Sequence, residues 1–204
     1  MSEPSHPIPP ARPAADPDHP VLEAARRGDR AAFDTLVVRH QRRVFRLSVR
    51  LLGDEEAALD AAQEAFLRAW RGLAGFQGGS LFTTWLTRIT INTCRNELRR
   101  RASPKHARPA SLDAPGPQGG DSLGARLAAP PAPVSARLEG VDLREAFRRA
   151  LQELDPGERE VLVLKEVEDL PYEDIAELLE VPVGTVRSRL HRARAHLRQR
   201  MGAA

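Results

Sequence analysis

The sequence predicts an all-α protein made of two small helical domains joined by a flexible linker. Three observations carry this. Of 17 prolines in 204 residues, seven lie in residues 1–20 and seven in 102–137, so only three interrupt the rest of the chain. Outside those stretches apolar residues recur at three- and four-residue spacings, and no segment alternates with a period of two long enough for a strand. Aromatic residues are 4% of the chain against 41% hydrophobic, so the core is built of Leu, Val and Ala, which argues against a sandwich or barrel of aromatic strands.

Residues 1–20 read as a disordered tail without the hydrophobic segment of a signal peptide. In the first block, 21–101, Asp29 caps a helix with apolar positions at Phe33, Leu36, Val37, Val44, Leu47 and Leu51, ending near Gly53. Asp54 caps the next, with Glu55 and Glu56 at its positive end, and it runs through Phe66 and Trp70 to Gly72. The loop GLAGFQGGS follows, and Ser80 is the expected cap of a third helix reaching about Arg101. Residues 102–137, rich in Pro, Gly and Ala, have too little apolar surface to offset their ordering entropy and form the linker. The second block, 138–204, opens with a helix over 138–154 stopped by Asp155 and Pro156. Helices over 157–168 and 172–179 follow, then a turn at 180–182 and a long helix from Val183.

The net charge of +3 conceals a strong asymmetry. Residues 138–182 hold 14 acidic and five basic side chains, whereas 183–204 hold six arginines and no acid. Arg95, Arg99, Arg100 and Arg101 form a second basic cluster. Local basic blocks on a nearly neutral chain point to an anionic polymer as partner. The acidic half of the second block reads as a solvated face or as a contact for a basic surface. One cysteine, Cys94, excludes an internal disulfide and a multi-cysteine zinc site; mid-helix, it reads as a small core residue. His40 reads as a surface residue. No apolar run is long enough to span a membrane, so a soluble, cytoplasmic protein is expected. No phosphate loop, activated nucleophile or carboxylate pair at catalytic spacing is present, so no catalytic residue, metal, cofactor or small-molecule substrate is expected.

YEDIAELLEVPVGTVRSRLHRARAHLRQR gives a short helix, a tight turn and a longer helix, the dimensions of a DNA-binding helix-turn-helix. Ile175, Ala176 and Leu179 point inward, and Val186, Leu190, Ala193 and Leu197 make one buried stripe on the second helix. Arg187, Ser188, His191 and Arg192 then face away, with Thr185 near the helix start. Arginine forks onto guanine or phosphate, and no acid on this helix cancels its charge. His191 and His196 lie five apart, on different faces, and no carboxylate is expected nearby, which disfavours metal binding.

In the first block Asp60, Gln63 and Arg68 fall on a polar helix surface anchored by Phe66 and Trp70, suited to docking another helix. The following helix packs Trp85, Leu86 and Ile89 and offers Arg88, Asn92, Arg95, Asn96 and Arg99 on other faces. With Phe76 in the preceding glycine-containing loop, these groups suit unstacked or single-stranded bases.

Here the chain resembles bacterial sigma factors of the sigma-70 family, specifically the extracytoplasmic-function (ECF) group. The matching residues run from Asp60 through Gln63 and Phe66 to Trp70, then Phe82-Thr-Thr-Trp85-Leu with Asn92 and Arg99-Arg100. Leu154-Asp155-Pro156 with Glu160, Tyr172 to Ala176 and Val183 to Arg189 match in the second block. The ordered set covers about 150 residues. It departs at Ala61 and Ala62, where many relatives carry larger aliphatics.

The resemblance implies a promoter-recognition subunit of RNA polymerase. Asp60, Gln63 and Phe66 would bind the polymerase core at its beta-prime clamp helices, and the beta flap is a further implied contact of the core. Phe76, Trp85, Arg88, Asn92, Arg95, Asn96 and Arg99 would bind and help melt the -10 element. Thr185, Arg187, Ser188, His191 and Arg192 would read the -35 element. An anti-sigma factor is a further implied partner. Two rival readings are a stand-alone helix-turn-helix regulator and a non-initiating decoy for an anti-sigma factor.

Overall fold

The computed structural model describes residues 16–103 and 138–202. Within them lie eight α-helices: α1 (His19–Arg26), α2 (Arg30–Leu52), α3 (Glu55–Gly72), α4 (Phe82–Ala102), α5 (Leu138–Gln152), α6 (Pro156–Glu166), α7 (Tyr172–Leu179) and α8 (Val183–Gly202). A single 3-10 turn, Leu73–Gly75, follows α3.

The helix ends follow local chemistry. Asp29 accepts from Ala32 N, Asp54 from Ala57 N and Asp155 from Gly157 N, each satisfying a donor that the first turn leaves open. α2 stops at Gly53, whose φ of +74° is left-handed and favours glycine. The helix-turn-helix turn passes through Glu180 at φ +57°, and Val181 N donates to Ala176 O at 3.0 Å.

Three expectations are corrected. The first block starts earlier than residue 21, because Asp16 and Asp18 are built into it and α1 lies ahead of α2. Ser80 does not cap α4. Its hydroxyl bonds to Leu81 O, while Phe82 N donates to Asp16 Oδ2 at 2.7 Å across 66 residues of sequence. Nor is His40 a surface residue: its ring Nε2 lies 2.6 Å from the buried Asp18 carboxylate, which also takes Arg39, and the ring tilts against Phe82.

Two apolar clusters hold the molecule. The first unites α1, α2, α3 and α4 around Leu36, Ala65, Phe66, Phe76 and Phe82. The second is shared between blocks: Leu47, Leu51, Leu52, Ala61, Ile91 and Cys94 of the first meet a core formed in the second by Leu151, Leu154, Val161, Leu164 and Ile175. Ala61 and Ala62 are both buried, small where helices come close.

The seam is also polar. Arg148, Gln152 and Arg159 donate to Gly53 O, Arg50 O and Leu51 O, so the second block closes the carbonyl end of α2. The buried Arg159 guanidinium also donates to Leu151 O, Gln152 O and Leu154 O.

Candidate nucleic-acid interface

α4 is the centre of the first surface. Trp85, Arg88, Asn92, Arg95, Asn96 and Arg99 recur at spacings of three and four, which brings them onto one broad stripe of the helix. A cleft of about 380 Å³, lined by Arg68, Gly72, Gly75, Trp85, Ile89 and Asn92, opens beside the stripe's first turns. An aromatic wall, a guanidinium and a carboxamide around an open cleft can hold an unstacked base by its π-face and its edge.

Phe76 does not join that cleft. It is buried to 6% exposure, with ring centroids 5.0 Å from Trp85 and 6.5 Å from Phe82. It therefore supports Trp85 from behind. Phe66 is also buried, at 5%, beneath the α3 surface, whereas Asp60 and Gln63 are exposed. The apolar group that α3 presents is Leu67, 49% exposed, which the sequence reading missed. Its position next to the buried Phe66 places it on the outward face of the same turn. Arg68 pairs with Glu64 at 2.7 Å.

The cations of the stripe are unequally available. Arg95 grips Glu160 of α6 with two bonds of 2.7 Å, and this pairing holds its guanidinium above the ordinary arginine range. Arg88 donates to Glu177 O at 3.0 Å. Arg99 bonds to Asn96 Oδ1 at 2.6 Å, and both residues remain exposed.

α8 forms the second surface. Val186, Leu190 and Ala193 are buried and Leu197 is partly buried, as the stripe predicts. Arg187, Ser188, His191 and Arg192 are exposed on the other side, with Thr185 half-buried at the first turn. Ser188 Oγ donates to Thr185 O at 3.0 Å. The expectations that nothing opposes the arginines and that no carboxylate lies near the two histidines are corrected. Glu158 of α6 lies 3.1 Å from Arg192 and 2.9 Å from His196, while Glu166 holds Arg194 and Glu153 holds Arg200. These acids come from sequence 28 to 47 residues away, so inspection of the helix alone could not find them.

Together these features define a helical protein with two helices that expose basic and polar faces, one in each block, the second belonging to a helix-turn-helix. Family models described as Sigma-70 region 2 and Sigma-70 region 4 match residues 36–103 and 144–197. The chain is 40% identical over 178 residues to the RNA polymerase sigma-H factor of Pseudomonas aeruginosa, covering 87% of this chain and 90% of that protein. It is 38% identical over 177 residues to the ECF RNA polymerase sigma-E factor of Escherichia coli K12, with coverages of 87% and 90%. Among solved structures, CnrH in complex with the cytosolic domain of CnrY matches with a TM-score of 0.59 at 28% identity, over 91% of this chain and 97% of that one. The sigma factor RpoE of Bartonella quintana, bound to the anti-sigma factor NepR, shares the fold with a TM-score of 0.60 at 22% identity, over 83% and 96%. The chain belongs to the sigma-70 family and is an ECF sigma factor. No helix among the described residues is long and apolar enough to cross a membrane.

Proposed function

We propose that this sigma factor acts without catalytic chemistry, in the cytoplasm, by placing its two reading helices on two promoter elements at once. The observation that carries this is the pair of exposed faces on α4 and α8, one in each block. The α8 face, with Arg187, Ser188, His191 and Arg192, reads the -35 element in the major groove, and Thr185 contacts the backbone. The α4 face, with Trp85, Arg88, Asn92, Arg95, Asn96 and Arg99, binds the -10 element once a base leaves the stack, an unstacking that costs a few kcal/mol. Phe76 acts as the support of Trp85. Asp60, Gln63 and Leu67 on α3 dock the clamp helices of the polymerase core, with Phe66 as their buried anchor.

Length is consistent with this. Two elements some 16–17 base pairs apart are separated by about 54–58 Å at ~3.4 Å per pair. The 36 residues at 102–137 reach well beyond that at ~3.1 Å per extended residue. An anti-sigma factor is an expected regulator, since the similar CnrH and RpoE chains were solved with such partners or with a cytosolic binding domain.

Run-off transcription with bacterial core polymerase on a promoter library tests the proposal. New start sites sharing two spaced motifs, lost with Arg187→Ala plus Arg192→Ala, are expected. Duplex binding without core, and no initiation, would replace it with a stand-alone regulator.

A further inference from the structure

The first turn of α6 is shaped around one side of α8. Glu158 stands in that turn, where a glutamate commonly folds back onto the N-terminal cap and where the helix favours negative charge. Its side chain, only 7% exposed, turns instead to α8: Oε1 lies 3.1 Å from Arg192 Nε and Oε2 lies 2.9 Å from His196 Nδ1. Arg192 and His196 are four residues apart and share a face of their helix. The neighbouring Gly157 leaves room for a third basic side chain, because a Cβ there would meet Arg189 Cζ and Nη1 at 3.2 Å.

An acid this close to a DNA-facing helix repels phosphate, so charge alone argues against its place. Geometry argues for it. The carboxylate meets Arg192 at Nε, the inner part of the guanidinium, and the side chain stays 58% exposed. The outer end, which can fork onto a guanine edge, is left to the solvent. An exposed arginine loses rotamer freedom when it reads a base, and one already held by a buried anion has lost part of it beforehand. Of Thr185, Arg187, Ser188, His191 and Arg192, only Arg192 lies against a carboxylate among the described residues.

We propose that Glu158 is a positioning residue for promoter recognition: it holds the Arg192 guanidinium at one place on the α8 face and so fixes which base of the -35 element Arg192 reads. His196, on the other carboxylate oxygen, keeps Glu158 turned toward α8. This rests on the reading of Arg192 as a -35 contact. Glu158 acts through Arg192 and gains selectivity at the expense of some non-specific affinity.

The experiment uses the full chain with bacterial core polymerase and a promoter library in which only the -35 element is randomised. Arg192→Ala should erase the base preference at one position. Glu158→Gln, which keeps the shape and removes the charge, should weaken the preference at that same position about tenfold and leave the others. Initiation averaged over the library should not fall, since a negative charge beside DNA is gone. Glu158→Gln added to Arg192→Ala should change the base preferences no further.

Preferences weakened at every position, together with lower average initiation, mark a merely structural tie and overturn the proposal. So does a double variant whose losses add. If Arg192→Ala leaves every preference in place, the reading of Arg192 fails and the proposal falls with it. If Arg192→Ala has its expected effect and Glu158→Gln has none, the proposal alone is overturned. Should Glu158→Gln fail to fold by circular dichroism, Arg192→Lys decides. One amine cannot stay on Glu158 and also fork onto a base, so the preference should vanish as in Arg192→Ala, and a lysine that keeps it overturns the proposal.

Discussion

Replacing Arg159 with Met should unfold the second block at markedly lower denaturant while the first block loses less. The guanidinium makes four bonds to backbone carbonyls, to Leu51 O at 2.6 Å, Gln152 O at 2.7 Å, Leu151 O at 2.8 Å and Leu154 O at 3.2 Å. Each charge-assisted bond nets about 1.5–3 kcal/mol when its loss strands a buried partner. Against this stands the cost of burying the cation, which lowers the Arg159 pKa from its ordinary value. Methionine keeps most of the apolar stem and removes that cost, and some carbonyls regain water. A net loss of about 3 kcal/mol follows, well below the sum of the four bonds taken singly. For a domain of this size that corresponds to a Tm lower by about 12 °C or more.

The assay exploits an accident of composition. Both tryptophans, Trp70 and Trp85, lie in the first block, so fluorescence reports on α1 to α4 while far-UV circular dichroism reports on all helices. In urea the dichroism transition of Arg159→Met should move to lower concentration and separate from the fluorescence transition. The latter should shift less, since the first block loses only the Leu51 bond and its share of the common cluster. A loss below about 1 kcal/mol, with the two transitions still together, would refute the reasoning. It would mean that the carbonyls are satisfied without Arg159.

Asp16→Ala removes the acceptor for Phe82 N and Asp18 N, and should cost the first block about 1 kcal/mol in the fluorescence transition, as for other lost helix caps. Phe66→Ala should destabilise that block by about 3–5 kcal/mol, whereas Leu67→Ala should leave stability nearly unchanged and weaken core polymerase binding in a pull-down. Burial pushes the Cys94 thiol up to about 11, so it should resist a disulfide reagent at pH 8 and react once in denaturant. Because the unfolded thiol ionises first, stability should be unaffected by this group below about pH 9 and fall between about pH 9 and 11. The slope is at most about 1.4 kcal/mol per pH unit, measured by urea titration of wild type against Cys94→Ala.

What the sequence reveals here is what is decided within a few residues. Asp29, Asp54 and Asp155 cap the helices they precede because the donors they satisfy lie two or three residues on. The α8 stripe is legible because one helix fixes which side chains share a face. Distance in sequence defeats the same reasoning. Asp16 does for α4 what Ser80 was expected to do, from 66 residues away, and no periodicity reports that. His40 reads as polar and therefore exposed until Asp18 is seen to close over it.

The aromatic residues pose a subtler problem, because stacking on a base and filling a core call for the same side chain. Phe66, Phe76 and Trp85 are alike in a sequence reading. The structure separates them through their neighbours: Phe76 is buried, T-shaped to Phe82 and tilted against Trp85, and so is closed to a ligand, while Trp85 is half-buried on the open cleft. Charge behaves likewise. The 14 acids of residues 138–182 were visible at once, yet a solvated face and a contact for a basic surface have the same composition. Glu160 settles which of the two it serves. A carboxylate only 8% exposed, holding a two-bond fork to Arg95, is a contact, and the arginine it holds is one that the -10 reading needs.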